Sequence, residues 1–139
     1  MKFESFIKIG KVKKKTPDPQ EGQALLSQAK DRLDYVKDKE ITTKSAKFVF
    51  EDAYEAVREA AQGLMSIKGY KPYSHEATIS FVAKFHENDF SKEDISNFDY
   101  YRVLRNDSVY RAVQILPQDA KDSLEFARKF VIKASKVFQ

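Results

Sequence analysis

Residues 43–68 read TKSAKFVFEDAYEAVREAAQGLMSIK and carry the longest helical pattern in the chain. At about 100° per residue, the apolar side chains of this stretch fill about half of a helix circumference. They are Val49, Phe50, Ala53, Tyr54, Ala56, Val57, Ala60, Ala61, Leu64, Met65 and Ile67. Thr42 and Thr43 offer an N-cap, and Gly69 followed by Pro72 ends the helix. An apolar arc this wide predicts the central helix of a bundle, with Glu51, Asp52, Glu55, Arg58, Glu59 and Gln62 on its polar half.

A second long helix is predicted from Asp18 to about Lys39. Asp18 is a suitable N-cap, Pro19 fits the first helical position, and Glu21 completes a capping box. The predicted buried stripe of this helix is Leu25, Leu26, Ala29, Leu33 and Val36.

Three further helices begin after local caps, and a short one is predicted around Phe3 to Ile9. Ser74 precedes SHEATISFVAKFHE, Ser91 opens the next helix through SKED, and Pro117 starts a C-terminal helix. The buried positions predicted for the first and last of these are Ile79, Val82, Ala83 and His86, and Leu124, Ala127, Val131, Ala134 and Phe138. Residues 1–139 are therefore predicted to form one all-α domain, an up-and-down antiparallel bundle of four to five helices, with a basic N-terminal segment at residues 1–17.

Composition narrows the class of protein. The 139 residues include no cysteine, which excludes a disulfide scaffold and a cysteine nucleophile. We find no signal-peptide pattern and no apolar run of bilayer length, so we expect a soluble cytoplasmic protein. The net charge of +4 includes a cluster of lysines before the first proline, Lys11, Lys13, Lys14 and Lys15. Such a cluster can attract phosphate, although a solvated surface is the commoner reason for it.

The helix that begins at Ser91 contains a feature that a plain bundle does not explain, RVLRNDSVY at residues 102–110. Its apolar residues Ile95, Phe98, Tyr101, Val109, Ala112 and Val113 define one arc. Arg105 falls near the middle of that arc and Arg102 towards its edge. A charged group there is costly to desolvate unless it is paired or lines a cavity. A structural ion pair, a functional cleft and a symmetric subunit interface all remain open.

The polar residues after Arg105 make the same segment unusual. The side chains of Asn106, Asp107 and Ser108 compete for backbone hydrogen bonds, so we expect a bend or a local irregularity there. Tyr110 lies five residues after Arg105, about 140° around an ideal helix. The two side chains can therefore converge only if the helix is distorted or if a second subunit supplies one of them.

In these features the chain resembles the HEPN superfamily, small helical domains often found beside minimal nucleotidyltransferases. The family signature is Arg, a polar residue that is often Asn, and then His after a few residues. Arg105-Asn106 matches its first half, and Tyr110 stands where the commonest spacing would place the histidine. The segments EDAYEAVREAAQGLM, GYKPYSHEATISFV and LEFARKFVIKA resemble family segments in the same order.

The resemblance implies a homodimer in which the Arg motifs of two subunits line one cleft. It also implies metal-independent RNA cleavage, with Arg105 on the phosphate, Asn106 hydrogen-bonding the phosphate or positioning its neighbours, and Arg102 adding positive potential. Tyrosine is a poor general base at neutral pH, so Tyr110 is expected to act as an acid, as a hydrogen-bond donor to a phosphate, or as a stacking surface for a base. In related toxin–antitoxin pairs a partner nucleotidyltransferase attaches AMP to a tyrosine near the motif. Tyr110 is the candidate for that modification, ahead of Tyr100 and Tyr101.

Other kinds of site have less support. His75 and His86 lie in no metal-ligand spacing, so no metal or other cofactor is expected. His75 is expected to bind backbone or solvent, and His86 to pack in the core. The expected partners are a second copy of the chain, a nucleotidyltransferase subunit, and RNA or a nucleotide, with no membrane. Two alternatives remain: a non-catalytic interaction or nucleotide-binding module with a structural Arg motif, and a plain monomeric bundle.

Overall fold

The computed structural model describes all residues from Met1 to Gln139 and contains six helices and one small sheet of two antiparallel strands. We refer to this sheet as the hairpin, although two helices separate its strands in the chain. The elements are α1 Phe3–Lys8, β1 Val12–Lys14, α2 Pro19–Val36, α3 Ala46–Lys68, β2 Tyr70–Pro72, α4 His75–Phe85, α5 Lys92–Arg111 and α6 Pro117–Val137. The helical class is confirmed, but the bundle has one helix more than the predicted four to five, and neither strand was predicted. No helix in the structure combines the length and the apolar character that crossing a bilayer requires.

The central position predicted for the longest helix is confirmed, because α3 contacts α2, α4, α5 and α6. Its apolar residues from Val49 to Met65 are buried, and Gly69 ends it in the left-handed conformation with φ +87°. The helix begins later than predicted, at Ala46, with Ser45 as its N-cap. Thr42 and Ser45 each donate a backbone N–H to the hydroxyl of the other, so these residues form a turn ahead of the helix.

One prediction about the polar half of α3 is wrong. Glu59 is only 1% exposed, because α2 covers this side of α3. The guanidinium of Arg32 on α2 donates from Nε to Glu59 Oε1 at 2.9 Å and from Nη2 to Oε2 at 3.2 Å. It also donates from Nη1 to Asp52 Oδ1 at 2.9 Å. Two carboxylates on the helix predicted to be central are thus held by one arginine.

The start of α2 follows the sequence prediction only in part. Asp18 accepts a hydrogen bond from the Glu21 backbone at 3.0 Å, and Pro19 is the first helical residue. The capping box is incomplete, because the Glu21 carboxylate binds Lys15 and Ser66 instead of the Asp18 amide. That amide donates to the Ser66 carbonyl at 2.9 Å, and the helix ends at Val36 rather than Lys39.

The N-terminal segment packs onto the bundle through α1 and the hairpin. β1 pairs antiparallel with β2 in the register Val12 with Pro72, Lys13 with Lys71, and Lys14 with Tyr70. Phe3 on α1 is buried against an aromatic cluster formed by Tyr70, Phe81 and Phe85. This layer explains why Phe81 on α4 is buried, whereas Ala83, which was predicted to be buried, is exposed.

Candidate functional site

The helix that carries the arginine motif packs on the bundle mainly through its first half. Ser91 and Asp94 form the predicted capping box, with hydrogen bonds of 3.0 and 2.9 Å. Phe98 is the one fully buried residue of α5. From Tyr100 onward the helix and the segment after it expose several large apolar side chains, Tyr100, Val103, Val109, Tyr110, Val113 and Leu116. The prediction of a buried apolar arc around Arg105 is therefore wrong for the second half of that arc, which is exposed.

The expected irregularity after Arg105 is also absent. α5 is an uninterrupted α-helix from Lys92 to Arg111, so Asn106 and Ser108 are accommodated within regular turns. The helix ends at Ala112, whose φ is 53°, and the amides of Ala112 and Val113 both donate to the Asp107 carbonyl. Because the helix is regular, the side chains of Arg105 and Tyr110 in one chain point in different directions.

A cleft of about 290 Å³ lies between α3 and α5 and contains the predicted arginine. Its lining residues are Glu51, Tyr54, Glu55, Arg105 and Val109. Arg105 is half-buried and makes one side-chain hydrogen bond, from Nη1 to Asn106 Oδ1 at 3.3 Å. It forms no ion pair, so most of its donors are free to meet a ligand. Asn106, the second predicted site residue, thus lies beside the guanidinium and contacts it.

Arg102 has a different environment from Arg105. Its Nε donates to Asp99 Oδ1 at 2.8 Å, and its Nη1 lies 3.7 Å from Glu76 Oε1 on α4. The side chain is 17% exposed, so this arginine ties α5 to the start of α4. A structural ion pair accounts for Arg102 but leaves Arg105 unexplained.

Tyr54, which lines the cleft, is paired with His75, and this pair was not predicted from the sequence. The Tyr54 hydroxyl lies 2.6 Å from His75 Nδ1, and the two rings stack with centroids 5.6 Å apart. Burial lowers the pKa of His75, and the positive charges of Arg105 and Arg58 lower it further. Burial likewise raises the pKa of Tyr54, although Arg105 and Arg102 oppose that shift. Both groups are therefore uncharged at neutral pH.

A local signal for His75 existed in the sequence. The residue directly follows the Ser74 cap, whose hydroxyl accepts from the Ala77 amide at 3.1 Å, so its place at the start of α4 was predictable. Its partner Tyr54 lies 21 residues earlier in the chain. No periodic pattern reports a contact over that separation, and His75 was therefore expected to bind backbone or solvent, which the structure contradicts.

The acidic residues of the cleft differ in how they are compensated. Burial alone would raise the pKa of Glu55, but the hydrogen bonds and charge of Arg58 outweigh it and hold the pKa below its usual value. Arg58 Nη2 lies 2.8 Å from Glu55 Oε2, and Nη1 donates to Gln62 at 2.8 Å. Glu51 has no ion-pair partner. The cleft thus contains the Glu55 carboxylate, which Arg58 neutralises, the free carboxylate of Glu51 and the free guanidinium of Arg105.

The predicted tyrosines fall into two groups. Tyr110 is 76% exposed and Tyr100 is 58% exposed, and neither lines the cleft. Tyr101 packs against Phe50 and Phe126, and burial raises its pKa to about 12. Of the three candidate modification positions, Tyr110 is thus the most accessible. The structure does not bring Tyr110 of one chain to Arg105 of the same chain.

Two other regions contain none of the predicted site residues. A larger groove, of about 520 Å³, separates α2 from α6 and is lined by Leu33, Val131 and Ile132 among charged residues. His86 is half-buried, and its Nδ1 lies 3.2 Å from Asp89 Oδ2, which places it at the end of α4 rather than in a site. No group of three or more histidine, aspartate or glutamate side chains is arranged to hold a metal ion.

Comparison with known proteins gives one match. A family model described as HEPN domain matches residues 23–137 of the chain. The match therefore covers helices α2 to α6 and strand β2, and it begins after α1 and β1. No curated protein matches the chain.

Proposed function

The chain belongs to the HEPN domain family, and from that membership we propose that it is the RNA-acting or nucleotide-binding subunit of a two-component module with a nucleotidyltransferase. Its site is a dimer cleft built around Arg105, Asn106 and Tyr110. Arg105 binds a phosphate, Asn106 orients the guanidinium, and Tyr110 contributes from the second subunit.

The observation that carries the proposal is the free guanidinium of Arg105. The other part-buried arginines, Arg32, Arg58 and Arg102, form ion pairs with carboxylates of their own chain. Arg105 forms no ion pair, and its one side-chain hydrogen bond goes to the neutral amide of Asn106. A half-buried arginine without a carboxylate partner keeps its paired N–H donors available. Two parallel N–H donors match the oxygens of a phosphate, which supports a phosphate-binding role.

The regular geometry of α5 supports a cleft shared by two subunits. Arg105 and Tyr110 diverge by about 140° on a straight helix, and α5 is α-helical through both positions. A distorted helix therefore no longer offers a way to bring them together. Val109, which is 49% exposed, lies between Arg105 and Tyr110 around the helix, and a second copy of the helix would cover it.

The proposed reaction is metal-independent cleavage of RNA by internal transfer. The ribose 2′-hydroxyl loses its proton to water, the 2′-oxygen attacks the adjacent phosphorus, and the bond to the 5′-oxygen breaks. The 5′-oxygen takes up a proton, leaving a 2′,3′-cyclic phosphate and a 5′-hydroxyl. Arg105 stabilises the charge that develops on the phosphorane oxygens. The Tyr110 hydroxyl donates the hydrogen bond or proton that histidine supplies in the family signature.

The nucleotidyltransferase partner would act on the exposed tyrosine. Transfer of AMP from ATP forms a bond between the Tyr110 phenolic oxygen and the α-phosphorus and releases pyrophosphate. With 76% of Tyr110 exposed, its hydroxyl is open to such an enzyme. A bulky, negatively charged AMP group on α5 would block closure of the dimer cleft, so the modification would silence the site.

Substitution of Arg105 tests the proposal. Arg105→Ala should abolish growth inhibition on overexpression and lower the rate of RNA cleavage by roughly 100- to 1,000-fold, the usual effect of removing one transition-state donor. Its fold should be intact, because the side chain forms no ion pair, and a circular dichroism melt checks this. Arg128→Ala, which removes an exposed arginine from α6, is the matched control. Wild-type protein that neither cleaves RNA nor inhibits growth would refute the nuclease form of the proposal.

The second candidate function is a non-catalytic interaction or nucleotide-binding module. The replacement of the signature histidine by Tyr110 favours it, since the expected general base is then absent. In this case Arg105→Ala weakens dimerisation, measured by light scattering, and changes no catalytic activity.

A further inference from the structure

The hairpin at the N-terminal side of the bundle concentrates positive charge around one exposed ring. We name as the basic hairpin the residues Lys11, Lys13, Lys14, Lys71 and Tyr73. All five are exposed, and none of the four lysines forms an ion pair. The Nζ atoms of Lys13 and Lys71 lie 5.3 and 5.5 Å from the centre of the Tyr73 ring.

The register of the strands makes this arrangement unfavourable for the fold itself. Lys13 and Lys71 are directly opposed across the two strands, and like charges in such a pair destabilise a sheet. Glu21, a carboxylate whose pKa the charge of Lys71 helps to lower, is already bound by Lys15 and Ser66. The opposed lysines weaken the strand pairing and have no carboxylate partners, which suggests that they bind an anionic ligand.

The basic hairpin is also held in a fixed place. Val12 of β1 is completely buried. The Tyr73 amide donates to the Lys11 carbonyl at 2.8 Å, and the Lys15 amide donates to the Gly69 carbonyl at 2.9 Å. The lysine stems therefore start from an ordered backbone, so a ligand would not have to order the strands when it binds.

The position of the hairpin in the chain connects it to the cleft. Tyr73 is two residues before His75, so the two Cα atoms are at most about 7 Å apart. His75 binds Tyr54, which lines the Arg105 cleft. The first strand of the hairpin lies outside the family match, which starts at residue 23. β1 thus brings lysines of the N-terminal segment towards the site.

We infer that the basic hairpin is a second binding site, which holds the backbone of single-stranded RNA next to the Arg105 cleft. Lys13 and Lys71 contact successive phosphates, and the Tyr73 ring stacks on a base. Aromatic rings flanked by cations are the usual means of binding single strands without sequence preference. The choice of RNA rests on the proposed function, whereas the lysines of the hairpin support an anionic ligand and the exposed Tyr73 ring supports one with unpaired bases.

Binding of an uncleavable ligand tests the inference. The probe is a fluorescent 2′-O-methyl oligouridine of roughly ten nucleotides, whose blocked 2′-oxygen prevents cleavage, and the readout is anisotropy over a range of salt concentrations. Each phosphate contact on a single strand contributes about 0.7 to the slope of log K against log salt. Loss of two contacts in Lys13→Gln/Lys71→Gln should lower the slope by about 1.4 and weaken binding roughly 25-fold at about 0.1 M salt.

A second variant tests the ring. Tyr73→Ala should weaken binding roughly 5- to 150-fold without changing the salt slope, because a stacked base is lost and no phosphate contact. The thermal midpoint of Lys13→Gln/Lys71→Gln should stay close to that of the wild type, because the variant removes the repulsion between the opposed charges together with their contacts to the Tyr73 ring. A drop in its binding therefore does not come from unfolding.

The control variant is Lys30→Gln/Lys136→Gln, which removes the same charge from the α2–α6 groove. Equal weakening by this control would overturn the inference, since net charge alone would then explain binding. Wild-type protein that ignores the RNA but binds phosphatidylserine vesicles would overturn it in favour of a membrane surface. Unchanged binding by the hairpin variant, together with lost cleavage by Arg105→Ala, rejects the second site but keeps the proposed function. Weakened binding by the hairpin variant, together with unchanged cleavage by Arg105→Ala, keeps the second site and rejects the proposed function.

Discussion

Val103 lies next to Tyr110 around α5, so the dimer can be tested by one substitution, Val103→Asp. Val103 lies on the same face as Tyr100 and Tyr110 and is 42% exposed in the single chain. It lies about 160° around the helix from Arg105, so a new carboxylate there does not pair with that arginine. If a second subunit covers Tyr110 and the neighbouring Val103, the substitution places a charge inside the interface.

The size of the effect follows from the exposed fraction. Full burial of a valine side chain contributes at least about 1.5 kcal/mol, so covering the remaining 42% contributes about 0.6 kcal/mol per subunit. Burying an unpaired polar group costs at least about 1 kcal/mol. A two-fold interface contains the substitution twice. The sum is about 3 kcal/mol per dimer, which raises the dissociation constant about 200-fold.

Sedimentation equilibrium measures this shift directly. We expect a concentration-dependent dimer for the wild type and a monomer for Val103→Asp at the same concentrations. Ile132→Asp is the matched control, because Ile132 is a similarly exposed apolar residue, on α6, and it should leave the dimer intact. A wild-type monomer at all concentrations, or equal dissociation by both variants, would refute the assignment of α5 as the interface.

Two further predictions concern the charged groups inside the bundle. Arg32→Met leaves Glu59, which is 1% exposed, without its partner. The free energy of unfolding in urea should therefore fall by about 3 kcal/mol, the low end of the range for breaking a buried pair, because Arg32 is partly exposed. A loss below about 0.5 kcal/mol would contradict the role of this pair. Because the native environment lowers the pKa of His75, the unfolded chain takes up a proton that the native chain resists, and stability should fall as the pH drops through about 6.5. In His75→Gln this acid-induced loss of stability should be smaller than in the wild type, and an identical loss in both proteins would show that His75 does not cause it.

The helices were predictable to different extents because periodicity reports burial but does not identify what covers a face. α3 is enclosed by four helices, and its wide apolar arc predicted that position correctly. The apolar residues of α5 likewise predicted a buried arc around Arg105, yet Val109 and Val113 within that arc are exposed. An apolar face reserved for a partner and one buried in the chain give the same pattern in a sequence.

The remaining differences between the predictions and the structure come from contacts between residues that are far apart in the sequence. The strand pairing of Val12 with Pro72 joins segments of three residues each, too short for an alternating pattern to predict. Glu59 was assigned to the polar face because its partner Arg32 lies on another helix. The pair of Tyr54 and His75 was missed for the same reason, although each residue was placed on the correct helix. Arg105 and Asn106 were predicted as site residues from local motif and position, which needs no such contact, and their role stays a prediction.

The most direct test of the account is to observe Arg105 with a phosphate ligand. Nitrogen-15 NMR resolves the Nε–H group of individual arginines, and each is assigned by the loss of its signal in the corresponding lysine variant. Titration with a 2′-O-methyl diribonucleotide should shift the Arg105 signal with saturation, leave the exposed Arg128 unchanged, and leave the ion-paired Arg32 unchanged. If the ligand binds and the Arg105 signal stays in place, the free guanidinium is not the phosphate site, and the account of the cleft is wrong.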